Sequence, residues 1–202
     1  MFWLSIKTRR HLWELSLAFA VIFFIWILQS DLLTQLSLHH LFCNMPLTFI
    51  IIWASIYTTS ITPLNSNDVK IRSVINIILY QAISGSVSGA IVGAVFAALY
   101  ASVLPVFLIS YPLIGWIAGY FPLRKIQHAS FYCILLVLFG TILAEFITAC
   151  QLALLGRAEV FSCFVQIAVP EAVLNALLAP FIFIPLKAWY DFGLEREVIV
   201  NP

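Results

Sequence analysis

Six long runs of apolar residues divide the sequence, and they restrict the possible folds more than any other feature. They cover about 12–29, 45–61, 74–99, 104–121, 130–155 and 166–187. Each run is close to the roughly 20 residues that an α-helix needs to cross a hydrocarbon layer. A transmembrane β-barrel would show shorter segments of alternating hydrophobicity. The runs therefore predict an all-α integral membrane protein, a bundle of six transmembrane helices.

The composition agrees with this and excludes several other classes. Hydrophobic residues make up 63% of the 202 residues, charged residues only 9%, and the mean hydropathy is +1.05. A disordered chain, a nucleic-acid binder with a basic face and an ordinary water-soluble enzyme all carry much more charge. Six crossings leave room only for short loops, so we predict a single membrane domain over 1–202 and no nucleic-acid partner.

The basic residues predict the orientation of the bundle. If the six runs alternate in direction, nine of the ten lysines and arginines lie on one side, and Arg157 alone lies on the other. Loops rich in lysine and arginine remain in the cytoplasm, so both termini are predicted to be cytoplasmic. The first run follows Lys7, Arg9 and Arg10, as in a signal peptide. It lacks a cleavage site of small residues, so we interpret it as an uncleaved helix.

A repeat of glycines marks one face of the third run. Gly85, Gly89 and Gly93 are spaced four residues apart, which puts them on nearly the same side of a helix. Such a face lets another helix backbone approach closely, and in lipid this close packing replaces the hydrophobic drive. Three interpretations remain open: packing within the chain, docking of a separate membrane protein, and a ligand passage.

Glu145 is the most informative ionisable residue because it lies well inside the fifth run. A charge there is costly, so this carboxyl needs a proton or a partner. We consider a structural hydrogen-bond network, a proton or cation site, and binding to a partner's membrane helix. The candidate partners of Glu145 within the chain are Thr141, Thr148, Gln151, Asn175 and Asn76.

The last run carries a second polar residue and two prolines. Pro170 and Glu171 resemble a helix start at the outer interface, because proline suits the first turn and an acid suits the positive end of the helix dipole. Pro180 is predicted to kink the helix one turn after Asn175. Asn175 and Pro180 then either shape the packing of the bundle or contact a partner helix.

The sequence contains no motif for covalent chemistry. We find neither HExxH, GxSxG nor Walker A, and no carboxylates paired at a catalytic spacing. The four cysteines lack the spacing of a metal site, and a disulfide between Cys43 and Cys163 is a minor alternative to free thiols. We therefore expect no enzyme activity, no cofactor and no metal.

Taken together, these motifs resemble the rod shape-determining protein MreD family over about 81–190. Members carry a glycine-repeat helix, a mid-chain helix with a polar Thr…Glu-like stretch, and a last helix of the form Leu-Asn-x-Leu-Leu-x-Pro. Here the corresponding residues are Gly85 and Gly89, the stretch 141–145 and the stretch 174–180. Many members have an aspartate a few residues after the paired glycines, whereas this chain has small and apolar residues there.

The resemblance implies a non-enzymatic subunit of the cell-elongation (rod) complex in the bacterial plasma membrane. Such a subunit is needed for cell shape and guides lateral peptidoglycan synthesis together with an MreC-like coiled-coil membrane protein and an MreB-like actin homologue. The alternative is a substrate-binding membrane subunit of an energy-coupling-factor type vitamin importer, which also has six helices. Those subunits tend to show an Ala-x-x-x-Ala motif in the first helix, whereas this chain has only Ala18 and Ala20 there.

Overall fold

The computed structural model describes residues 16, 20–29, 43–57, 87–101, 107–123, 128–157 and 159–200, with side chains described as far as 192. Within these ranges the chain forms six helices and no β-strand. They are α1 (20–29), α2 (Met45–Tyr57), α3 (Val87–Tyr100), α4 (Phe107–Ala118), α5 (Ala129–Leu154) and α6 (Val160–Val200). The predicted all-α class is therefore confirmed for the described residues.

Two of the described helices are long and apolar enough to cross a membrane, judged by length and composition alone. The best windows have a mean hydropathy of 2.3 in α5 and of 2.0 in the part Val160–Phe192 of α6. The apolar helices α2, α3 and α4 are shorter, with 13, 14 and 12 residues. The other parts of the predicted runs lie outside the described residues, namely 12–15, 17–19, 58–61, 74–86 and 104–106.

The interpretation of Pro170 and Glu171 as a helix start is wrong. The helix α6 begins at Val160, ten residues earlier, and continues through Pro170, Pro180 and Pro185. Proline removes one hydrogen bond, but ending the helix there would leave several backbone N–H and C=O groups without partners. In an apolar environment that loss is larger, so the helix continues. Glu171 consequently lies inside α6 and is not at its first turn.

Contacts between the helices define their directions. The side chain of Gln29, at the end of α1, donates to the carbonyl of Cys43, just before α2 (3.0 Å). Tyr111, near the start of α4, donates to Asn44 (3.0 Å). The side chain of Asn175 in α6 accepts from the backbone N–H of Asn44 (2.8 Å), and at the other end of α2 the rings of Tyr57 and Tyr190 meet edge to face at 5.3 Å. The helices α2 and α6 therefore run in parallel. We call the end of the bundle near Asn44 the polar end.

The centre of the bundle is α2. All its residues from Pro46 to Tyr57 are buried, as expected for a helix that is apolar on every side. Its rings interlock with a neighbour, because Phe49 meets Phe96 of α3 edge to face at 6.0 Å. The described parts of α3, α4, α5 and α6 all contact α2, so this short helix organises the packing of the longer ones.

Glycines hold α3 and α4 in close contact. A Cβ atom on Gly89 would lie 2.5 Å from the backbone oxygen of Gly115, and one on Gly93 would lie 2.5 Å from that of Tyr111. A Cβ atom on Gly89 would also lie 2.5 Å from the Cβ atom of Ala54 in α2. All three distances are shorter than any real carbon contact, so only glycine fits. Gly89 pairs with Gly115, and Gly93, later in α3, pairs with Tyr111, earlier in α4. The helices α3 and α4 are therefore antiparallel.

Candidate functional site

Asn175 lies at the centre of a buried polar cluster at the polar end. It is fully buried, and its amide joins three segments of the chain. The side-chain oxygen accepts from the backbone N–H of Asn44 (2.8 Å) and from the thiol of Cys43 (3.3 Å), while the side-chain nitrogen donates to the Thr141 hydroxyl (3.3 Å). One side chain of α6 thereby connects the start of α2 with the middle of α5.

Asn44 extends the cluster to α4. Its side-chain oxygen caps α2 by accepting from the N–H of Leu47 (3.1 Å), and it also accepts from the Tyr111 hydroxyl (3.0 Å). An asparagine before the first turn is a favoured N-cap because it satisfies a free backbone donor. The cap of α2 is therefore also the contact between α2 and α4.

Gln29 brings in the end of α1. Its amide oxygen accepts from the N–H of Met45 (3.3 Å), and its nitrogen donates to the carbonyl of Cys43 (3.0 Å). Together with the Asn44 cap, these bonds satisfy backbone groups at the start of α2 that have no partner within the helix. The polar end is thus held by amide side chains on α1, on α6 and on the segment before α2.

Two carboxyl groups lie in this cluster. The helices α5 and α6 are antiparallel, and Thr141 faces Asn175. One turn further toward the polar end, the same register brings Glu145 opposite Glu171. The two carboxyls interact electrostatically, and the side chains of Asn44 and Asn175 are hydrogen-bond partners of Glu171. Within the described part of the chain, no basic side chain forms an ion pair with either glutamate.

Two buried hydroxyl oxygens in this part of the bundle have no hydrogen-bond partner among the described residues. Thr148, one turn beyond Glu145, is only 9% exposed, and its Oγ1 has no hydrogen-bond partner among the described residues. The hydroxyl of Tyr100 is likewise buried and without a described partner. It belongs to the same region, because Tyr111 interacts electrostatically with Tyr100, Glu145 and Glu171. Buried polar atoms are usually paired, but Nε1 of Trp53, away from the carboxyls, also has no described partner, so the unpaired hydroxyls alone do not mark the site.

Cys43 lies just before α2, and the pKa of its thiol reflects the burial of the cluster. Burial raises the pKa of its thiol to about 11, and the neighbouring Glu171 carboxyl adds to the rise. The thiol therefore stays protonated near neutral pH and acts as a donor to Asn175. All four cysteines are free, so the alternative of a disulfide between Cys43 and Cys163 does not hold in this structure.

The structure separates the predicted site residues into two groups. Glu145 and Asn175 belong to the polar cluster. Gly89 and Gly93 instead form the contact between α3 and α4. This contact corresponds to the first of the three interpretations of the glycine face, packing within the chain. Pro180 lies half-buried within α6. Gly85 and Asn76 lie outside the described residues.

Sequence reasoning assigned no site role to Glu171, Asn44 and Tyr111. One signal for Glu171 was present, since it precedes Asn175 by four residues and so shares its helix face. If Pro170 is interpreted as a helix start, Glu171 lies at the outer interface, and the helix face that it shares with Asn175 is overlooked. Asn44 and Tyr111 join the cluster only through contacts between helices that are distant in sequence.

The comparisons with known proteins give no relative. No family model matches the sequence, and no match is found among curated proteins or solved structures. The functional argument therefore depends on the fold and on the polar cluster themselves.

Proposed function

We propose that the chain is a six-span protein of the bacterial plasma membrane with both termini in the cytoplasm. In this topology α1, α3 and α5 run outward, and α2, α4 and α6 run inward. The directions of the described helices at the polar end are compatible with that alternation. The polar end then faces the outside, and the basic residues of the cytoplasmic loops face inward.

The length of α6 fixes the depth of the site in this proposal. With Lys187 at the cytoplasmic boundary, about 20 residues of helix cross the hydrocarbon layer and reach the outer boundary near Ile167. Glu171 and Glu145 then lie about one turn inside the outer boundary. At that depth a pair of carboxyls is costly unless neutralised, which makes the cluster the chemically distinctive part of the protein.

Within that topology, we assign the protein to the cell-elongation (rod) complex as a non-enzymatic, MreD-like subunit that binds partner proteins. One observation carries this assignment: α6 has 41 residues and extends to Val200. The part beyond Lys187 is a helix about 20 Å long that projects into the cytoplasm. Its sequence contains Asp191, Glu195, Arg196 and Glu197, and a segment with this many charged residues suits binding to a cytoplasmic protein such as an MreB-like actin homologue.

The lipid-facing side of α6 is suited to a different partner. Leu177, Phe181 and Ile184 are 65%, 77% and 60% exposed and follow one another at intervals of three or four residues. Such an apolar stripe is the kind of surface against which a single membrane helix packs. We assign it to the membrane helix of an MreC-like coiled-coil protein, so that the two partners bind different parts of one helix.

A truncation tests the assignment. Ending the chain after Phe192 removes Glu195, Arg196 and Glu197 and leaves the lipid-facing stripe. In a two-hybrid assay in bacterial membranes, the truncated chain should lose the MreB-like protein and keep the MreC-like protein of the same organism. A full-length variant with Glu195, Arg196 and Glu197 changed to alanine separates the loss of charge from the loss of helix. Failure of the full-length chain to bind either partner would refute the proposal.

The polar cluster favours one alternative, the membrane subunit of a vitamin importer. Such a subunit requires polar groups gathered at the outer end of its helices, and Asn44, Glu145, Glu171 and Asn175 meet that description. The two proposals differ in their partners. Co-purification with a pair of ATPases and uptake of a labelled vitamin would favour the importer, whereas cell rounding on deletion of the gene would favour the rod complex.

A further inference from the structure

A cavity of about 510 Å³ lies between α5 and α6, at the end of the bundle opposite the polar end. One wall consists of His128 and the first turn of α5, and the other wall is the stretch 183–191 of α6. The volume is within the range of about 300–1,000 Å³ that is typical of sites for small molecules. The cavity shares no residue with the polar cluster, so it is a separate candidate site.

Part of the lining is apolar and open to the surroundings. Phe131 and Ile184 line the cavity and are 59% and 60% exposed. In the proposed topology Lys187 marks the cytoplasmic boundary, so these two side chains contact the ends of lipid acyl chains nearest the head groups. A ligand of this cavity therefore has an apolar part and a polar part, as a phospholipid has.

The polar part of the lining carries charges of both signs. The Lys187 ammonium lies 5.9 Å from the centre of the Phe183 ring, and Asp191 follows Lys187 by four residues in the same wall. Residues four apart on a helix are neighbours, with Cβ atoms about 5–6 Å apart. A head group with an anion and a cation joined by a short carbon chain matches this arrangement.

The start of α5 adds to the positive side of the cavity. The helix begins at Ala129, and the first N–H groups of a helix have no acceptor within it. His128 stands at the N-cap position and makes no side-chain cap hydrogen bond. The positive end of the helix dipole and these N–H groups favour a phosphate. Lys187, in the opposite wall, then approaches the same phosphate from α6.

We infer that this cavity binds the head group of a phospholipid with a phosphate and a primary amine, which is the chemistry of phosphatidylethanolamine. The phosphate binds between Lys187 and the start of α5, and the ammonium group donates to Asp191. Phosphatidylglycerol offers no cation to Asp191, and phosphatidylcholine has no N–H to donate. The inference rests on the proposed membrane topology, and it holds for the rod complex and for the importer alike.

Lipid binding to the purified full-length protein tests the inference. Native mass spectrometry in detergent compares phosphatidylethanolamine, phosphatidylglycerol and phosphatidylcholine with identical acyl chains. We expect phosphatidylethanolamine to bind about tenfold more tightly than either of the others, as one additional hydrogen bond between charged groups provides. Equal binding of all three lipids, or a preference for phosphatidylglycerol, would overturn the inference.

Two variants assign the two halves of the head group. Lys187→Ala should weaken binding of phosphatidylethanolamine about tenfold. Asp191→Asn should retain lipid binding but lose the preference over phosphatidylglycerol. The exposed Arg157 and Glu159, at the other end of the bundle, supply the matched controls Arg157→Ala and Glu159→Gln, which should bind as the wild type does.

The melting temperature without added lipid shows whether each variant is folded, and the comparison of lipids on the wild type needs no variant. Unchanged lipid selectivity in folded Lys187→Ala and Asp191→Asn would overturn the assignment to this cavity. Reporter fusions test the topology separately. A correct topology without lipid selectivity would therefore refute the inference alone and leave the proposed function in place.

Discussion

At the scale of single residues, Asn175 contributes most to the polar end. An amide is suited to this position because it both donates and accepts, and a buried Asn175 does so toward α2 and α5 at once. Each of these bonds contributes only about 1 kcal/mol net. The larger effect is the cost of breaking them, because the groups left behind cannot turn to water.

We predict that Asn175→Leu strongly destabilises the protein. Leucine has a similar volume but leaves the Asn44 N–H, the Thr141 hydroxyl and the Glu171 carboxyl without their partner. The expected loss is at least about 3 kcal/mol, or a melting temperature about 6–12 °C lower. Ser162→Ala is the control, because it removes an exposed hydrogen bond on the same helix and should change little. A similar melting temperature for both variants would contradict the role assigned to Asn175.

The second prediction at this scale concerns the reactivity of Cys43. Because the pKa of Cys43 is about 11, its thiolate fraction is small at neutral pH and rises about tenfold per pH unit up to that value. Mass spectrometry after maleimide treatment at pH 7 should find the exposed Cys163 labelled well before Cys43. The folded state favours the protonated thiol, so its contribution to stability is present below pH 9 and is lost as the pH rises toward 11. Equal labelling of both cysteines at pH 7 would contradict the burial of Cys43.

At the scale of helices, the contact between α3 and α4 depends on the absence of side chains. The glycine pairs bring two backbones together, and dispersion attraction at short range between them replaces the side-chain packing that glycine lacks. Gly89 also packs on α2. The same glycine face therefore positions α4, which supplies Tyr111 to the polar cluster.

We predict that even the smallest side chain at this contact is harmful. Gly89→Ala puts a methyl group 2.5 Å from a backbone oxygen that cannot move without shifting α4, so the expected cost is about 1–3 kcal/mol. Gly89→Leu should be degraded in cells or lose its membrane partners. Ala98→Leu adds more volume on the exposed side of α3 and serves as the control. Normal melting of Gly89→Ala would show that α3 and α4 are not in close contact.

The helix α6 shows that the surroundings change the effect of proline on a helix. Proline usually ends a helix in water, yet Pro170, Pro180 and Pro185 all lie within one continuous helix. In apolar surroundings an unpaired backbone group costs several kcal/mol, so keeping the helix outweighs the bond that proline removes. That continuity carries Glu171 into the bundle and supplies the second carboxyl of the cluster.

At the scale of the whole molecule, the proposed topology makes a prediction that is independent of function. Reporter fusions at Asn44 and Gly156 should be active outside the cytoplasm, and fusions at Asn67 and Gln127 inside it, because nine of the ten basic residues then face the cytoplasm. Alkaline phosphatase and a fluorescent protein provide complementary readouts for each fusion. Opposite locations for Asn67 and Gln127 would show that the number of crossings is wrong.

The sequence by itself determined the class of the fold and the character of its packing surfaces. Apolar runs predict helices because the backbone must satisfy its own hydrogen bonds where water is absent. The spacing of Gly89 and Gly93 predicted a face for close packing, and the isolation of Glu145 in an apolar run predicted a site of unusual chemistry. These features depend only on residues near one another in the chain.

Only the tertiary structure decided what these residues contact. The spacing of Gly89 does not indicate that Gly115 is its partner, and nothing local to Asn44 connects it with Asn175, 131 residues away. The pairing of Glu145 with Glu171 depends on the antiparallel register of α5 and α6 and on the continuity of α6 through Pro170. Such contacts arise from the packing of whole helices, and a sequence pattern within one helix contains no information about the register of its neighbour.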